Sequence, residues 1–393
     1  MIPNRYTVRD SRPLRIALRL WLVCAFAASA IFALADLLHR HASQRSLEWA
    51  QALSPWDARH PLVLADLDPA GPLRHLRRAY ALRPGYTPVA LRLALEAESQ
   101  GDPAATERQL QQALQRDPTF LPHWTLANFY FRHSDWERFW RHTRQAVSIY
   151  EGDLTGVFHL CLRVEPQPLQ LLARLQPARP SARLDLFRVL LNRGDRAGAA
   201  QIADLIARDR LPDAKDLLLE ACHQSVLSKE PASISLWNAL TESRLFDGDP
   251  LAPEAGKSLN NGRFTRAPSG ACFDWKLHRA SGFRARAPGS GGFQAELSGG
   301  QPAALTLLEQ WLPLDPQAAY RLVWTSQERF QANAAGFEWF LDGQPLAPLR
   351  DGRAEFSAAG RQFVQLTLAT RRRPGSTRPS GELRIGEVLL KRL

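Results

Sequence analysis

Two spacings of apolar residues divide the chain. From about Ser46 to Phe246, Leu, Ala and other apolar residues recur at the period of amphipathic α-helices. After the turn cluster Asp247–Pro250, apolar and polar residues alternate in short runs separated by Gly, Ser, Pro and Asp. The change of period predicts a multidomain protein, with a helical region followed by a β-sandwich.

The clearest helical unit ends at Pro118, thirty-four residues after Pro84. Two amphipathic runs, Val89–Ser99 and Ala104–Leu114, flank a turn at residues 101–103. In this period, in its Gly-Asp turn and in the closing Ala-Leu and Asp-Pro pairs, the unit resembles the tetratricopeptide repeat. The resemblance implies an α-solenoid of stacked helical hairpins.

Weaker copies of this unit surround it. Trp124 begins a second copy, in which Ser134-Asp135 replaces the Gly-Asp turn, and Gly194-Asp195 marks a third. The resemblance covers residues 45–247 and implies a concave face, lined by first helices, that receives a protein partner. Arg92, Asn128 and Arg132 are the candidate groove residues; the alternative is that they are solvated surface.

The C-terminal region, residues 258–393, follows a linker at 248–257. Tyr320, Leu322 and Trp324 are predicted to share one face of a strand, and Gly386 is predicted to form a bulge. We predict eight strands in all: Phe273–Leu277, Phe283–Ala287, Phe293–Leu297, Ala304–Leu312, 319–326, Phe337–Asp342, 363–370 and 381–393. The stretch LNNGRFTRAPSGACFDW (259–275) is predicted to begin the sandwich.

Several residues of the C-terminal region indicate a resemblance to a second family. Asn261, Gly262, Phe264 and Trp275, followed by the segments 310–316 and 320–324, resemble the jelly rolls of carbohydrate-binding modules. With the helical repeats and an apolar N-terminus, the arrangement resembles exported bacterial proteins associated with exopolysaccharide machinery. Members of that family commonly carry an acidic residue after the Phe, where it helps to bind structural calcium. Thr265 stands there in this chain, so the resemblance brings no calcium site with it.

Aromatic side chains are the candidates for binding a sugar in the sandwich. An exposed indole can stack on the C–H face of a sugar ring while polar neighbours bind its hydroxyl groups. The alternative is core packing, which a small sandwich also requires of large residues, and the alternation in 337–341 favours it for Trp339. The candidate glycan-binding residues are Asp274, Trp275, Glu309, Trp311, Arg321 and Trp339.

The N-terminus predicts a membrane anchor. Residues 20–35 carry no charge, and a helix over 16–38 is long enough to span a bilayer. Five Arg residues lie within the first nineteen positions, which favours a cytoplasmic segment at 1–15 and an extracytoplasmic bulk. The alternative is a signal peptide cleaved after Ala35. Either alternative exports the protein, and the anchor would place it in the inner membrane with a single pass.

The net charge and the cysteine spacing limit which classes of function fit the sequence. The net charge is +11, but the sequence has no motif of a nucleic-acid-binding domain, so no nucleic-acid partner is expected. Beyond Cys24 three cysteines remain without a C-x-x-C pair; they are either buried thiols or include a Cys161–Cys222 disulfide. The loop 371–378 is either a polyanion contact or a solvated hairpin tip.

Catalytic motifs are absent from the sequence. It contains no Walker A, H-E-x-x-H or G-x-S-x-G pattern, and Asp274 has no second carboxylate as partner for acid–base work on a glycosidic bond. We therefore expect neither catalysis nor a cofactor or metal. The expected function is a membrane-anchored adaptor in envelope polysaccharide assembly or export. The alternatives are a glycan-binding protein acting through the jelly roll and a glycan-processing enzyme.

Overall fold

The computed structural model describes residues 12–68, 71–286, 292–331, 334, 336–349, 352–372 and 374–393. Most of the N-terminal basic segment predicted at 1–15 lies outside these residues. The described residues form two compact units, one ending at Glu151 and the other beginning at Gly152.

Fourteen α-helices precede ten β-strands in the described residues. The helices are α1 (Arg12–Arg40), α2 (Gln44–Leu53), α3 (Arg59–Leu67), α4 (Pro72–Leu82), α5 (Thr87–Ser99), α6 (Pro103–Arg116), α7 (Phe120–Arg132), α8 (Trp136–Ile149), α9 (Thr155–Cys161), α10 (Pro168–Leu175), α11 (Ser181–Asn192), α12 (Arg196–Asp209), α13 (Ala214–Leu227) and α14 (Ala232–Glu242). The strands are β1 (Lys276–Leu277), β2 (Phe283–Arg286), β3 (Phe293–Ser298), β4 (Ala304–Pro313), β5 (Ala319–Phe330), β6 (Phe337–Leu341), β7 (Gln344–Pro345), β8 (Arg353–Ser357), β9 (Phe363–Arg371) and β10 (Ser380–Arg392).

The first unit contains antiparallel helical hairpins of the predicted kind. Helix α3 packs on α4, α5 on α6 and α7 on α8, and α5 also contacts the next first helix, α7. Leu110 of α6 and Leu126 of α7 are fully buried, and Ala94 and Ala113 allow α5 and α6 to approach closely. The helical repeats predicted from the sequence are therefore confirmed as hairpins.

The turns inside three of the hairpins share one local conformation. A residue with positive φ ends the first helix, and an Asp carboxylate then accepts a hydrogen bond from a backbone N–H in the first turn of the second helix. Gly supplies positive φ without a Cβ clash, and Ser134 adopts it in the copy that lacks Gly. The pairs are Gly101-Asp102, Ser134-Asp135 and Gly194-Asp195, before α6, α8 and α12.

The strands form a β-sandwich, as predicted. One five-stranded antiparallel sheet has the order β1-β4-β9-β6-β7 and the other β2-β3-β10-β5-β8. Leu308 and Leu366 from the first sheet share one apolar core with Leu322 and Leu383 from the second. The chain crosses between the sheets at β1–β2, β3–β4, β4–β5, β5–β6, β7–β8, β8–β9 and β9–β10. The fold is an α-helical repeat region followed by a sandwich.

Individual strand predictions are confirmed in detail. Tyr320 and Leu322 are buried together, and Trp324 packs against the same core. The register of β10 against β5 shifts between Ile385 and Val388, which places the predicted bulge at Gly386.

The start of the sandwich differs from the prediction. Residues 259–275 form turns, and the first strand comprises only Lys276–Leu277. Side-chain hydrogen bonds and close packing, rather than hydrogen bonds between strands, hold this stretch in position. The Asn261 side chain closes a turn by bonding the backbone N–H and C=O of Arg266. The short strands β7 and β8 were not predicted, because neither has a clear apolar alternation.

The cysteine pairing also corrects the sequence interpretation. Cys222 of α13 forms a disulfide with Cys272, with Cα atoms 5.7 Å apart, whereas Cys161 is a buried free thiol. Burial raises the pKa of the Cys161 thiol. The disulfide cross-links a helix to the turns that begin the sandwich, a contact that cysteine spacing does not reveal.

Helix α14 is also attached to this junction. The Trp237 indole donates to the Asp249 carbonyl (2.9 Å) and its ring lies 6.0 Å from that of Phe273. Asn238 donates to the Leu251 carbonyl and accepts from the Leu251 amide, both at 2.8 Å. The segment predicted as a linker is therefore packed against α14.

Candidate functional site

A groove of about 510 Å³ lies between α4, α5 and α6. Helix α5 forms its floor with Leu93, while exposed and half-buried residues of α4 and α6 form its two sides. The groove arises because α4 and α6 both pack on α5 and leave a channel between them.

The groove combines apolar surface with cationic and amide groups. Arg77 and Tyr80 lie on the α4 side, and Gln109 and Arg116 on the α6 side. The Arg116 guanidinium donates to the Tyr80 hydroxyl at 3.0 Å and so bridges the two helices. Among the described lining residues Asp102 alone is acidic, and its carboxylate already caps α6. The groove therefore suits a segment with acidic and apolar side chains.

The predicted groove residues lie elsewhere, on first helices. Arg92 of α5 pairs with Asp66 of α3, and Arg132 of α7 pairs with Glu98 of α5 at 2.6 Å. The Arg132 hydrogen bond lowers the pKa of Glu98 against the opposing effect of burial. Both arginines thus connect successive first helices.

The third predicted residue has an internal partner too. The Asn128 amide donates to the Trp124 carbonyl within α7, at 2.8 Å. Sequence reasoning missed Arg77, Gln109 and Arg116, because exposed polar residues on second helices carry no signal that separates them from ordinary surface.

A second candidate surface lies on the outer face of the sandwich sheet β4-β9-β6, around a cavity of about 270 Å³. In the register Glu309 faces Thr367, which faces Phe340, and Gln365 is two residues along β9 on the same side. The Arg371 guanidinium carbon lies 4.3 Å from the centroid of the Phe340 ring. Carboxylate, amide, hydroxyl and guanidinium groups therefore border one concave patch.

The charge state of Glu309 is set by its neighbours. Burial opposes ionisation, but Lys276 Nζ at 2.8 Å and His278 Nε2 at 3.0 Å together hold the pKa of this carboxyl below its usual range. Glu309 is therefore an anion near neutral pH, available as an acceptor at the edge of the patch.

Two of the predicted sugar-stacking tryptophans are in the core. Trp275 is fully buried and Trp339 nearly so, and their ring centroids are 6.1 Å apart. This placement matches the alternative of core packing that the sequence left open for both residues, and it removes them as sugar-stacking candidates. The physical reason is that the small sandwich fills its centre with indoles. Trp311 is partly exposed on the outer face, with Lys229 Nζ 5.8 Å from its ring.

The two remaining predicted residues do not join the patch. The Asp274 carboxylate is buried, where Asn260 Nδ2 and the Ser269 amide and hydroxyl donate to it, so it holds a turn. Arg321 lies on β5 of the opposite sheet and pairs with Glu355 at 2.6 Å. Of the six candidates, Glu309 and Trp311 share the outer face of one sheet.

The Asn-Gly-x-Phe motif has a structural role. The Asn261 carbonyl accepts from the Trp275 indole at 3.2 Å, and the Gly262 carbonyl accepts from the Val388 amide at 2.8 Å. A Cβ on Gly262 would lie 2.2 Å from the Val388 carbonyl oxygen. Phe264 is buried against Trp275. The motif therefore docks the start of the region onto β10, and nothing in this geometry requires a ligand.

One described helix segment, Ile16–Arg40, is long and apolar enough to cross a membrane and equally compatible with a signal sequence. Within the described residues, no three His, Cys, Asp or Glu side chains are close enough to share a metal ion.

A scan of protein-family models and a search of curated proteins return no match. Among solved structures, the human IFIT1 dimer with m7Gppp-AAAA is similar at 16% identity, over 51% of this chain and 54% of IFIT1, with a TM-score of 0.27. PilF of Pseudomonas aeruginosa is similar at 17% identity, over 57% of this chain and 94% of PilF, with a TM-score of 0.25. The chain spans about half the length of IFIT1. At these TM-scores neither likeness carries an argument about function.

Proposed function

We propose that this protein is a non-catalytic, membrane-anchored adaptor that holds a protein partner in the groove between α4, α5 and α6. The observation that carries the proposal is the groove, with Arg77 and Arg116 on its two sides and Leu93 between them. Stacked helical hairpins commonly bind an extended or helical segment of another protein on a concave surface. Here the candidate channel has the second helices α4 and α6 as its sides, instead of the first helices that the repeat resemblance implies. The partner segment is acidic and partly apolar, to match these side chains.

Two further features support the proposed location of the adaptor. Helix α1 anchors it in the inner membrane with a single pass and the N-terminus in the cytoplasm, in line with the Arg bias of the first nineteen residues. The Cys222–Cys272 disulfide favours an oxidising compartment for the rest of the chain. The resemblance of the sandwich to carbohydrate-binding modules supports envelope polysaccharide assembly or export as the setting. The domain limits 45–247, 248–257 and 258–393 are part of the same proposal.

Mild detergent extraction of tagged full-length chain tests the adaptor. The wild type is expected to migrate in a complex that contains another protein. Charge reversal at both sides of the groove, Arg77→Glu with Arg116→Glu, is expected to release the chain from it, because an acidic segment is then repelled. Arg108→Glu is the matched control, since Arg108 is exposed on α6 but does not line the groove.

Two results would contradict the adaptor. A wild-type chain that is monomeric in every gentle extract has no stable partner, and a complex that survives the double charge reversal does not use this groove. A larger species made only of this chain, detected with two different tags, would replace the adaptor by a homo-oligomer.

Glycan binding is the second candidate function, favoured by the patch of Glu309, Gln365, Thr367 and Arg371 around Phe340. Each hydrogen bond to a charged group contributes about 1.5–3 kcal/mol, so Arg371→Ala is expected to weaken binding of the organism's envelope polysaccharide roughly tenfold or more. Arg321→Ala, on the opposite sheet, is the control and should change nothing.

The binding assay uses the full-length chain because the Cys222–Cys272 disulfide and the Trp237–Phe273 contact tie the sandwich to its helices. Equal affinities for the wild type and Arg371→Ala, or no binding of either, would count against this patch as a glycan site.

A further inference from the structure

Two exposed tryptophans stand out near the start of the chain. Trp49 on α2 and Trp56 in the turn after it are each 60% exposed, more than any other large apolar side chain in the described residues beyond α1. On the opposite face of α2, Leu47 and Ala50 are completely buried. A cluster of large exposed apolar side chains is a candidate interaction surface for a protein or a membrane.

The turn and the two helices beside it lie against α1. The Trp56 ring contacts the Phe32 ring with centroids 5.9 Å apart, and Ala35 is buried although most of α1 is exposed. Arg59, at the start of α3, lies 3.7 Å from Asp36, which also pairs with Arg40. These contacts fix the positions of α2 and α3 at one end of the apolar helix.

The contact with Phe32 indicates how deep in a membrane the Trp56 ring would lie. Asp36 is the first charged residue after the uncharged run 20–35, and Phe32 precedes it by one helical turn, about 6 Å. A helix that spans the hydrocarbon places that position just inside the membrane–water boundary. A ring that packs sideways on Phe32 must therefore lie at the same boundary.

Tryptophan is well suited to that depth. Its large ring is apolar while its indole N–H can donate to a phosphate or carbonyl oxygen, which is why Trp is enriched at membrane interfaces. Arg45 is exposed one helical turn before Trp49 on α2 and can contact lipid phosphates. In water the same side chains would leave two large apolar rings exposed.

We infer that Trp49 and Trp56 form a phospholipid-binding surface that inserts into the interface of the bilayer beside α1. This surface holds the first repeat helices against the membrane and restricts how the groove of the same unit is presented to a partner. The inference rests on the proposed membrane anchor.

Fluorescence quenching by brominated lipid tests the inference. The full-length chain is reconstituted in vesicles of phosphatidylethanolamine and phosphatidylglycerol with bromine on the acyl chains close to the headgroup. Trp21 of α1 is in the bilayer if the anchor inserts, so three of the 11 tryptophans are expected to be quenched. With equal contributions, Trp49→Phe with Trp56→Phe removes roughly two thirds of the quenching, and Trp21→Phe removes roughly one third. Trp136→Phe, at a 44% exposed position on α8, should remove none.

The outcomes separate the surface from the anchor. If Trp21→Phe abolishes all quenching and the double variant changes nothing, this inference is overturned while the anchor stands, and a protein or a second copy covers the tryptophans. If the wild type shows no quenching at all, both the anchor and this inference fail. Circular dichroism of each variant verifies that helix content is unchanged, and the Phe substitutions keep the aromatic contact with Phe32.

Discussion

The helical hairpins α3–α8 and the β-sandwich differ in how far along the chain their contacts reach. Asp102 caps the backbone of Ala105 only three residues away, and Arg132 pairs with Glu98 at a separation of one repeat, 34 residues. In the sandwich, the Arg263–Glu387 bridge spans 124 residues. Each hairpin is thus specified largely by its own segment, whereas the sandwich depends on segments that are remote in sequence.

The difference is not simply one between helix and strand. Helices α9–α14 belong to the same compact unit as the sandwich, and α13 and α14 contact its first turns through Cys222, Trp237 and Asn238. The second unit therefore combines local hairpins with long-range cross-links. Four predictions use this contrast, in order of decreasing effect.

Removal of the disulfide should give the largest loss of stability, and this loss should fall on the second unit. The Cys222–Cys272 bond closes a loop of 50 residues, and loop-closure entropy predicts a loss of about 4 kcal/mol in the free energy of unfolding for Cys222→Ser with Cys272→Ser. Hydrogen exchange in denaturant should show earlier opening of α13 and the sandwich, with α5–α8 unchanged. Cys24→Ser is the control, and an equal shift in α5–α8 would refute the separation of the two units.

Acid should weaken the first unit selectively. Burial and the neighbouring His123, with Nδ1 atoms 3.1 Å apart, lower the pKa of His142 to about 4. Between that value and about 6.5 the unfolded chain binds a proton that the folded chain does not, so stability falls as pH falls, by at most about 3 kcal/mol. Exchange protection of α7 and α8 should decline from pH 7 to pH 4, and His142→Phe should flatten the decline. A variant as pH-sensitive as the wild type would disprove the assignment.

Replacement of each of two glycines by Ala should distinguish a closely packed long-range contact from an open position. An Ala Cβ at Gly262 would collide with the Val388 carbonyl, whereas at Gly85 it meets nothing within 4 Å. Gly262→Ala is expected to cost about 1–3 kcal/mol through overpacking. Gly85→Ala should stay within about 0.5 kcal/mol of the wild type. Thermal unfolding measures both, and equal effects would show that the contact between the motif and β10 is unimportant.

Loss of a helix cap should have the smallest effect. Asp102→Ala and Asp135→Ala each remove one side-chain acceptor for a first-turn N–H, of α6 and α8 respectively, at a cost of about 1 kcal/mol. Asp102→Asn keeps an acceptor and should recover most of the loss. Exchange rates in the first turn of α6 report the change, and unchanged rates in Asp102→Ala would show that the cap is dispensable.

The candidate sites were harder to predict than the elements. The aromatic residues were found from composition, but the sequence alone does not distinguish an indole in the core from one on the surface, and Trp275 and Trp339 proved to be buried. Arg92 and Arg132 were placed on first helices correctly, yet their ion pairs with Asp66 and Glu98 depend on how neighbouring hairpins stack. The groove itself was not predicted, because it is the space between three packed helices.

The amino-acid pattern is sufficient for the parts of this protein that rest on local chemistry. Helical period, positive-φ turn residues followed by a capping Asp, strand alternation and the bulge at Gly386 all follow from neighbours within a few residues. Packing decided the rest: the Cys222–Cys272 pair, the turns at 259–275 that dock on β10, and the tryptophans that lie against α1 or in the core. Such contacts join residues whose separation in sequence carries no periodic signal, so only the folded chain brings them together.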